Sequence, residues 1–116
     1  MIITNVWNAT SASNAGALTG SVITNGGNVQ FQFAGSAWSA SAGQIIGANL
    51  VVDGSNVGTA RVLTNEPSSH KALVPISTIL RLAAGTHSIA IQAATPLTKI
   101  DQNDFFTLVV TEFSFT

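Results

Sequence analysis

Within seven residues, Asn65 to Lys71, the chain brings together an amide, a carboxylate, two hydroxyls, an imidazole and an ammonium. Sugar recognition uses this mixture, because vicinal hydroxyls each donate and accept and are met best by paired polar groups held on a loop. Asn65, Glu66, Ser69, His70 and Lys71 are therefore candidate ligand contacts, with Ser68 beside them. A solvated turn displays the same residues, with Glu66 and Lys71 loosely paired for at most about 1 kcal/mol, and it is the more economical reading. Trp38 is the other candidate, the single large side chain in Gly35 to Gly43, GSAWSASAG. An exposed indole offers a stacking platform for the apolar face of a sugar or an anchor for a partner. Burial at the end of the fold or in a subunit contact is the commoner fate of tryptophan, and Trp7 reads as packing.

The remaining constellations are weaker. Asp101, Asn103 and Asp104 offer oxygen ligands for calcium, but two carboxylates without EF-hand spacing favour a plain turn into the next strand. Ser69 beside His70 is a neighbour pair and not a triad, because adjacent side chains of an extended segment point apart and no orienting third group is evident. His70 and His87 lack a nearby carboxylate cluster and the spacing of a zinc pair, so no metal is expected. Asn8-Ala9-Thr10 matches a glycosylation sequon, a match expected by chance in a chain rich in Asn, Ser and Thr. No acid–base pair is positioned by spacing, so the sequence does not read as an enzyme and calls for no cofactor.

Composition bounds the partners. The chain has 116 residues, enough for one domain with a real core, spanning 1–116, and too few for two. Hydrophobic residues make up 46% and charged residues only 8%, against about 25% charged in ordinary globular chains. Such depletion means surface buried between subunits, or a rigid assembly kept soluble by neutral polar groups. Arg61, Lys71, Arg81 and Lys99 are scattered, with no patch able to neutralise a run of phosphates, so nucleic acid is excluded as a partner. No apolar run approaches the roughly 20 residues of a membrane helix, and the N-terminal stretch lacks the regions of a signal peptide. The chain reads as soluble and leaderless, in an extracellular or virion-associated setting. It has no cysteine, which removes disulfides and thiolate chemistry.

The elements that must position these residues are strands. Short alternating segments bounded by Gly, Asn, Asp and Ser recur along the chain, the pattern of a sandwich or barrel. Strands are predicted at Ile2–Trp7, Leu18–Thr24, Val29–Phe33, Gln44–Val52, Val57–Leu63, Ala72–Ile76 and Thr86–Ala94. Asn8–Gly16, Gly35–Gly43, Thr64–Lys71 and Thr95–Asn103 read as loops, and Ser77–Ala84 as one turn of helix. Whether residues 1–16 join a sheet is open. Val29, Phe31 and Phe33 interleaved with Gln30 and Gln32 form the clearest half-buried strand, and Asp53-Gly54-Ser55-Asn56 the clearest hairpin turn. The final stretch, DFFTLVVTEFSFT from Asp104, places Phe105, Thr107, Val109, Thr111, Phe113 and Phe115 on one face and Phe106, Leu108, Val110, Glu112 and Ser114 on the other. Both faces are apolar through Val110, so this strand is central, one face on its own core and the other against a second copy of the chain.

The run LAAGTHSIAIQAA, Leu82 to Ala94, followed after a polar loop by NDFFTLVVTEF, Asn103 to Phe113, resembles the last strands of trimeric jelly rolls of the C1q and tumour-necrosis-factor type and of jelly-roll heads on phage and adhesin fibres. The resemblance implies a two-sheet sandwich of which three copies pack aromatic strands around a threefold axis. The chain departs from those trimers in having no tyrosine. The fold expected is an all-β, antiparallel two-sheet β-sandwich of jelly-roll type, assembling as a homotrimer. The function expected is a non-enzymatic, lectin-like or receptor-binding head that presents Trp38 and Asn65–Lys71 to a glycan or cell surface. The competing class is structural, a capsid decoration or tail protein of a particle without a small-ligand site.

Overall fold

Two-residue alternation converts into strands across the whole of the computed structural model, which describes residues 1–113. Phe115 and Ser114, assigned above to opposite faces of the last strand, lie outside the described residues. Ten strands form: β1 (Ile2–Ser11), β2 (Thr19–Thr24), β3 (Gly27–Ala34), β4 (Ser36–Ala37), β5 (Gln44–Val52), β6 (Ser55–Thr64), β7 (Lys71–Ala72), β8 (Ile76–Leu82), β9 (Gly85–Ala93) and β10 (Phe105–Glu112). One four-stranded sheet has the order β1-β10-β3-β8, a second the order β2-β9-β5-β6, and β4 pairs with β7. Every pairing is antiparallel. The chain is an antiparallel β-sandwich of jelly-roll type.

The core lies between the two large sheets. Val29, Phe31 and Phe33 of β3 and Phe106, Leu108 and Val110 of β10 are buried against Ile46, Ala48, Leu50, Ile89 and Ile91 of the facing sheet. The Phe33 and Phe106 rings stack with centroids 5.9 Å apart. Each of these valine, leucine, isoleucine and phenylalanine side chains contributes roughly 1.5–3 kcal/mol on leaving water. Glycines let the sheets close at both edges. A Cβ on Gly20 of β2 would sit 2.8 Å from Val6 of β1, and one on Gly58 of β6 would sit 2.6 Å from Ile76 of β8. The β5–β6 hairpin turns on Asp53 and Gly54, whose φ angles of +51° and +83° are those of a tight two-residue connection.

Several sequence expectations change. Ser77–Ala84 is not helical. β8 runs through it, pairing with β3 from Gly27↔Leu82 to Phe33↔Ile76, so Ile76, Thr78, Leu80 and Leu82 face inward while Ile79 is 61% exposed. An outward isoleucine beside Leu80 blurs the two-residue period, and the pairing with β3 overrides the local pattern. The strand expected at Ala72–Ile76 shrinks to Lys71–Ala72, because Pro75 lacks the N–H a ladder needs. β1 also continues into the expected loop, reaching Ser11 through irregularities between Asn5 and Thr10, where Ala9 takes φ +48° and donates its N–H to Thr107 Oγ1.

β10 is central, between β1 and β3. Its inner face is Phe106, Leu108 and Val110, while Phe105 is 52% exposed and Thr107 and Val109 are half-buried on the outer face. β1, β3 and β9 end, and β8 and β10 begin, at one end of the sandwich. Residues 12–18, 35–43, 65–75 and 94–104 gather there.

Candidate functional site

The segment from Gly35 to Ser39, expected as a loop, is held as a strand on both sides. Ser36 and Ala37 pair with Ala72 and Lys71, Leu73 donates its N–H to the Gly35 carbonyl, and Ser68 N–H donates to the Ser39 carbonyl. On its other flank Trp38 and Lys99 exchange both backbone bonds, N–H to carbonyl, at 2.9 and 2.7 Å. Continued one step, the β4–β7 register sets His70 opposite Trp38, and their rings meet with centroids 5.8 Å apart. Trp38 is half-buried, and the His70 side chain is 34% exposed.

Two aspartates lock this pair. Asp104 is fully buried. Its Oδ1 accepts from Ser36 Oγ and lies 2.7 Å from His70 Nδ1, and its Oδ2 accepts the Asp101 N–H at 3.0 Å. Asp101 Oδ2 accepts the Trp38 indole N–H at 3.1 Å, and its Oδ1 accepts the Asn103 N–H at 2.8 Å. The result is a closed circuit, Trp38 to Asp101 to Asp104 to His70 and back through the ring contact. The imidazole is held through Nδ1, and Nε2 has no protein hydrogen-bond partner among the described residues. The circuit fixes the position of both rings.

The aspartate run weighed above as a plain turn is therefore structural and reaches across the fold. One ligand atom each from His70, Asp101 and Asp104 falls within 4.8 Å of the others. All four carboxylate oxygens already accept from protein donors, so the donor set is that of a hydrogen-bond network.

The six sequence candidates share one end of the sandwich, and the structure brings two of them, Trp38 and His70, into contact. Asn65 and Glu66 are exposed beyond them, Ser69 and Lys71 half-buried. Glu66 and Lys71 do not pair with each other. Ser69 makes no hydrogen bond with His70, and among the described residues the imidazole hydrogen-bonds a carboxylate and no hydroxyl. The expectation that no carboxylate cluster lies near either histidine is overturned at His70, which bonds Asp104 with Asp101 close by, while His87 bonds the single carboxylate of Asp53. His87 is buried on the face of β9 shared with Ile89 and Ile91.

No family model matches this sequence, and no curated protein matches it. Solved structures do. A family 35 carbohydrate-binding module (CBM35) from Cellvibrio japonicus Abf62 superposes over 97% of this chain and 95% of its own, with a TM-score of 0.57 and 11% identity. A family 35 module from Clostridium thermocellum matches over 97% and 92%, with a TM-score of 0.52 and 12% identity. The chain has their fold. Dimeric latent PorU from Porphyromonas gingivalis also matches, over 95% of this chain but 12% of that much longer one, with a TM-score of 0.59 and 9% identity. Identities this low speak for the path of the backbone alone, and the jelly-roll sandwich implied by the C-terminal third is met at that level.

Asp101, Asp104, Ser36 and Lys99 are the residues that sequence reasoning did not attach to the site. The presence of two aspartates in the last loop was visible, but the partner of Asp104 lies 34 residues away in another loop. Only the sandwich topology joins them.

Proposed function

We propose that this chain is a non-enzymatic, lectin-like binding module that takes a glycan at its loop end, on Trp38 and His70. The observation that carries the reading is the locked contact between these two rings, with Asp104 behind the imidazole and Asp101 behind the indole. An aromatic face held rigid offers a sugar's C–H groups a platform without loss of side-chain freedom on binding. In this reading His70 Nε2 hydrogen-bonds a sugar hydroxyl, and Asn65, Glu66, Ser69 and Lys71 meet further hydroxyls at the rim. That proteins of the same fold are carbohydrate-binding modules supports the assignment.

The module works as a homo-oligomer, most simply a trimer, in which weak single sites are multiplied by valency. The outer face of β10 is its contact: Phe105 is 52% exposed there, and Ile3 and Ile79 on the same sheet are each 61% exposed. The same apolar face favours a second reading, a structural component of a particle that binds neighbours and no sugar. An extracellular or particle-borne setting suits both.

The test is a glycan-array screen of the purified protein beside Trp38→Ala and His70→Ala, with the subunit count set by light scattering. Selective binding that either substitution abolishes is the expected result. A blank array from a stable oligomer would overturn the lectin reading in favour of the structural one.

A further inference from the structure

Beside the Trp38 site lies a groove of about 350 Å³, walled by residues 15–17 on one side and 98–100 on the other, with Ile91, Gln92 and Ala93 of β9 between them. Its volume falls in the range of sites that hold small ligands. The wall Thr98–Ile100 is the segment whose Lys99 is bonded to Trp38 in both directions, so one short stretch of chain flanks both features. Lys99 lines the groove and pairs directly with Trp38, so one strand width separates the groove wall from the Trp38 backbone, about 4.8 Å.

The groove is preformed. Its outer wall is a tight turn in which Ser13 N–H donates to the Ala17 carbonyl, Gly16 N–H to the Ser13 carbonyl and Ala17 N–H to Ser13 Oγ, at 2.8 to 3.0 Å. Its inner wall is pinned through Thr98, whose Oγ1 accepts the Gly47 N–H at 3.2 Å. The Gln92 amide and the Lys99 ammonium are exposed, and neither is engaged by a protein side chain or backbone group among the described residues. The rest of the lining is small or apolar, Ala15, Gly16, Ala17 and Ala93 with Ile91 and Ile100, and Gly16 packs against Ile100 so closely that an added Cβ would lie 2.9 Å from its carbonyl oxygen. A wet amide and an ammonium beside a small apolar floor suit a hydroxyl-rich ligand lying on its side.

We infer that the groove is a second subsite of the glycan site, so that the module recognises a run of sugar units and not a single terminal residue. This rests on the Trp38 and His70 reading. A chain stacked on Trp38 crosses Lys99 and sets its next units between Ala17 and Ala93, where Gln92 and Lys99 hydrogen-bond its hydroxyls.

The test is calorimetric titration with xylan-, mannan- and galactan-derived oligosaccharides of two, four and six units. One of the three series is expected to bind at least ten-fold more tightly from two to four units. Gln92→Ala, an exposed replacement, and Ala93→Glu, which fills the groove, are each expected to remove that gain while leaving the disaccharide affinity within two-fold. Affinity independent of length, or a length gain that survives both substitutions, would overturn the subsite while leaving the Trp38 site standing. Failure of every glycan to bind, in these series and on the array, removes both readings.

Discussion

His87 and Asp53 form a pair in which the imidazole meets an acceptor at each end. Asp53 Oδ2 lies 2.6 Å from Nδ1, and the Ala83 carbonyl lies 2.7 Å from Nε2. A neutral ring donates from one nitrogen only, so satisfying both acceptors requires the imidazolium. The Asp53 bond, then the Ala83 carbonyl, hold the His87 pKa above its ordinary value, although the ring is buried. The same bond, with the Ser88 N–H that Asp53 Oδ1 accepts at 2.9 Å, holds Asp53 low. The charged ring thereby ties the β5–β6 hairpin to the turn before β9.

The pH dependence of stability follows. A raised histidine contributes fully below its unfolded value of 6.5 and loses that contribution as pH climbs through the folded value. A depressed aspartate contributes above its unfolded value of 3.8 and loses it as pH falls through the folded value. The pair is worth most between about pH 4 and 6.5. Calorimetry is expected to show Tm falling from pH 6 to pH 9 in the native protein and a flatter profile in His87→Gln. Parallel profiles for the two would show that the ring does not gain its proton on folding.

Removing the buried Asp104 carboxylate takes the acceptor from three partly buried donors: Ser36 Oγ, His70 Nδ1 and the Asp101 N–H. Asp104→Ala is expected to lose about 3 kcal/mol in urea unfolding. Ser36→Ala, which removes one donor and leaves the carboxylate two, should cost about 1 kcal/mol. Equal losses would mean that the carboxylate is not the hub of the circuit.

At Gly35 an added Cβ would lie 2.2 Å from Cδ1 of the fully buried Phe106. That ring stacks on Phe33 and has no room to retreat. Gly35→Ala is expected to destabilise the fold by roughly 1–3 kcal/mol, and pairing it with Phe106→Leu should recover part of the loss. Additive losses in that cycle would place the strain elsewhere.

Val109, half-buried on the outer face of β10, and Phe113, half-buried just past its end, test the proposed assembly. Replacing both with glutamine should convert an oligomer into monomers in light scattering with the melting temperature of the isolated fold little changed. An oligomer of unchanged mass would exclude this face as the contact, and a monomeric native protein would exclude the assembly itself.

Much of the sandwich was legible because its signals are local. Val29, Phe31 and Phe33 alternate with glutamines, and all three prove buried; Asp53-Gly54 prescribes the hairpin that forms; His87, Ile89 and Ile91 share the buried face of β9. Ser77–Ala84 was misread because its apolar residues serve two faces at once, and β3 pairing decided its conformation. In the candidate site, Trp38 and His70 were each recognisable by residue type. Their contact was not, since 32 positions separate them.

The sequence by itself determined the composition of the strands, the tight turns and the neutral surface, because side-chain periodicity and turn chemistry act over a few residues. The tertiary structure alone decided that Asp104 would be buried under His70, that Asp101 would hold the Trp38 indole, and that Lys99 would stand between Trp38 and the groove. These contacts join loops from distant parts of the chain, and a jelly roll brings such loops to one end only through pairings whose register no single segment carries.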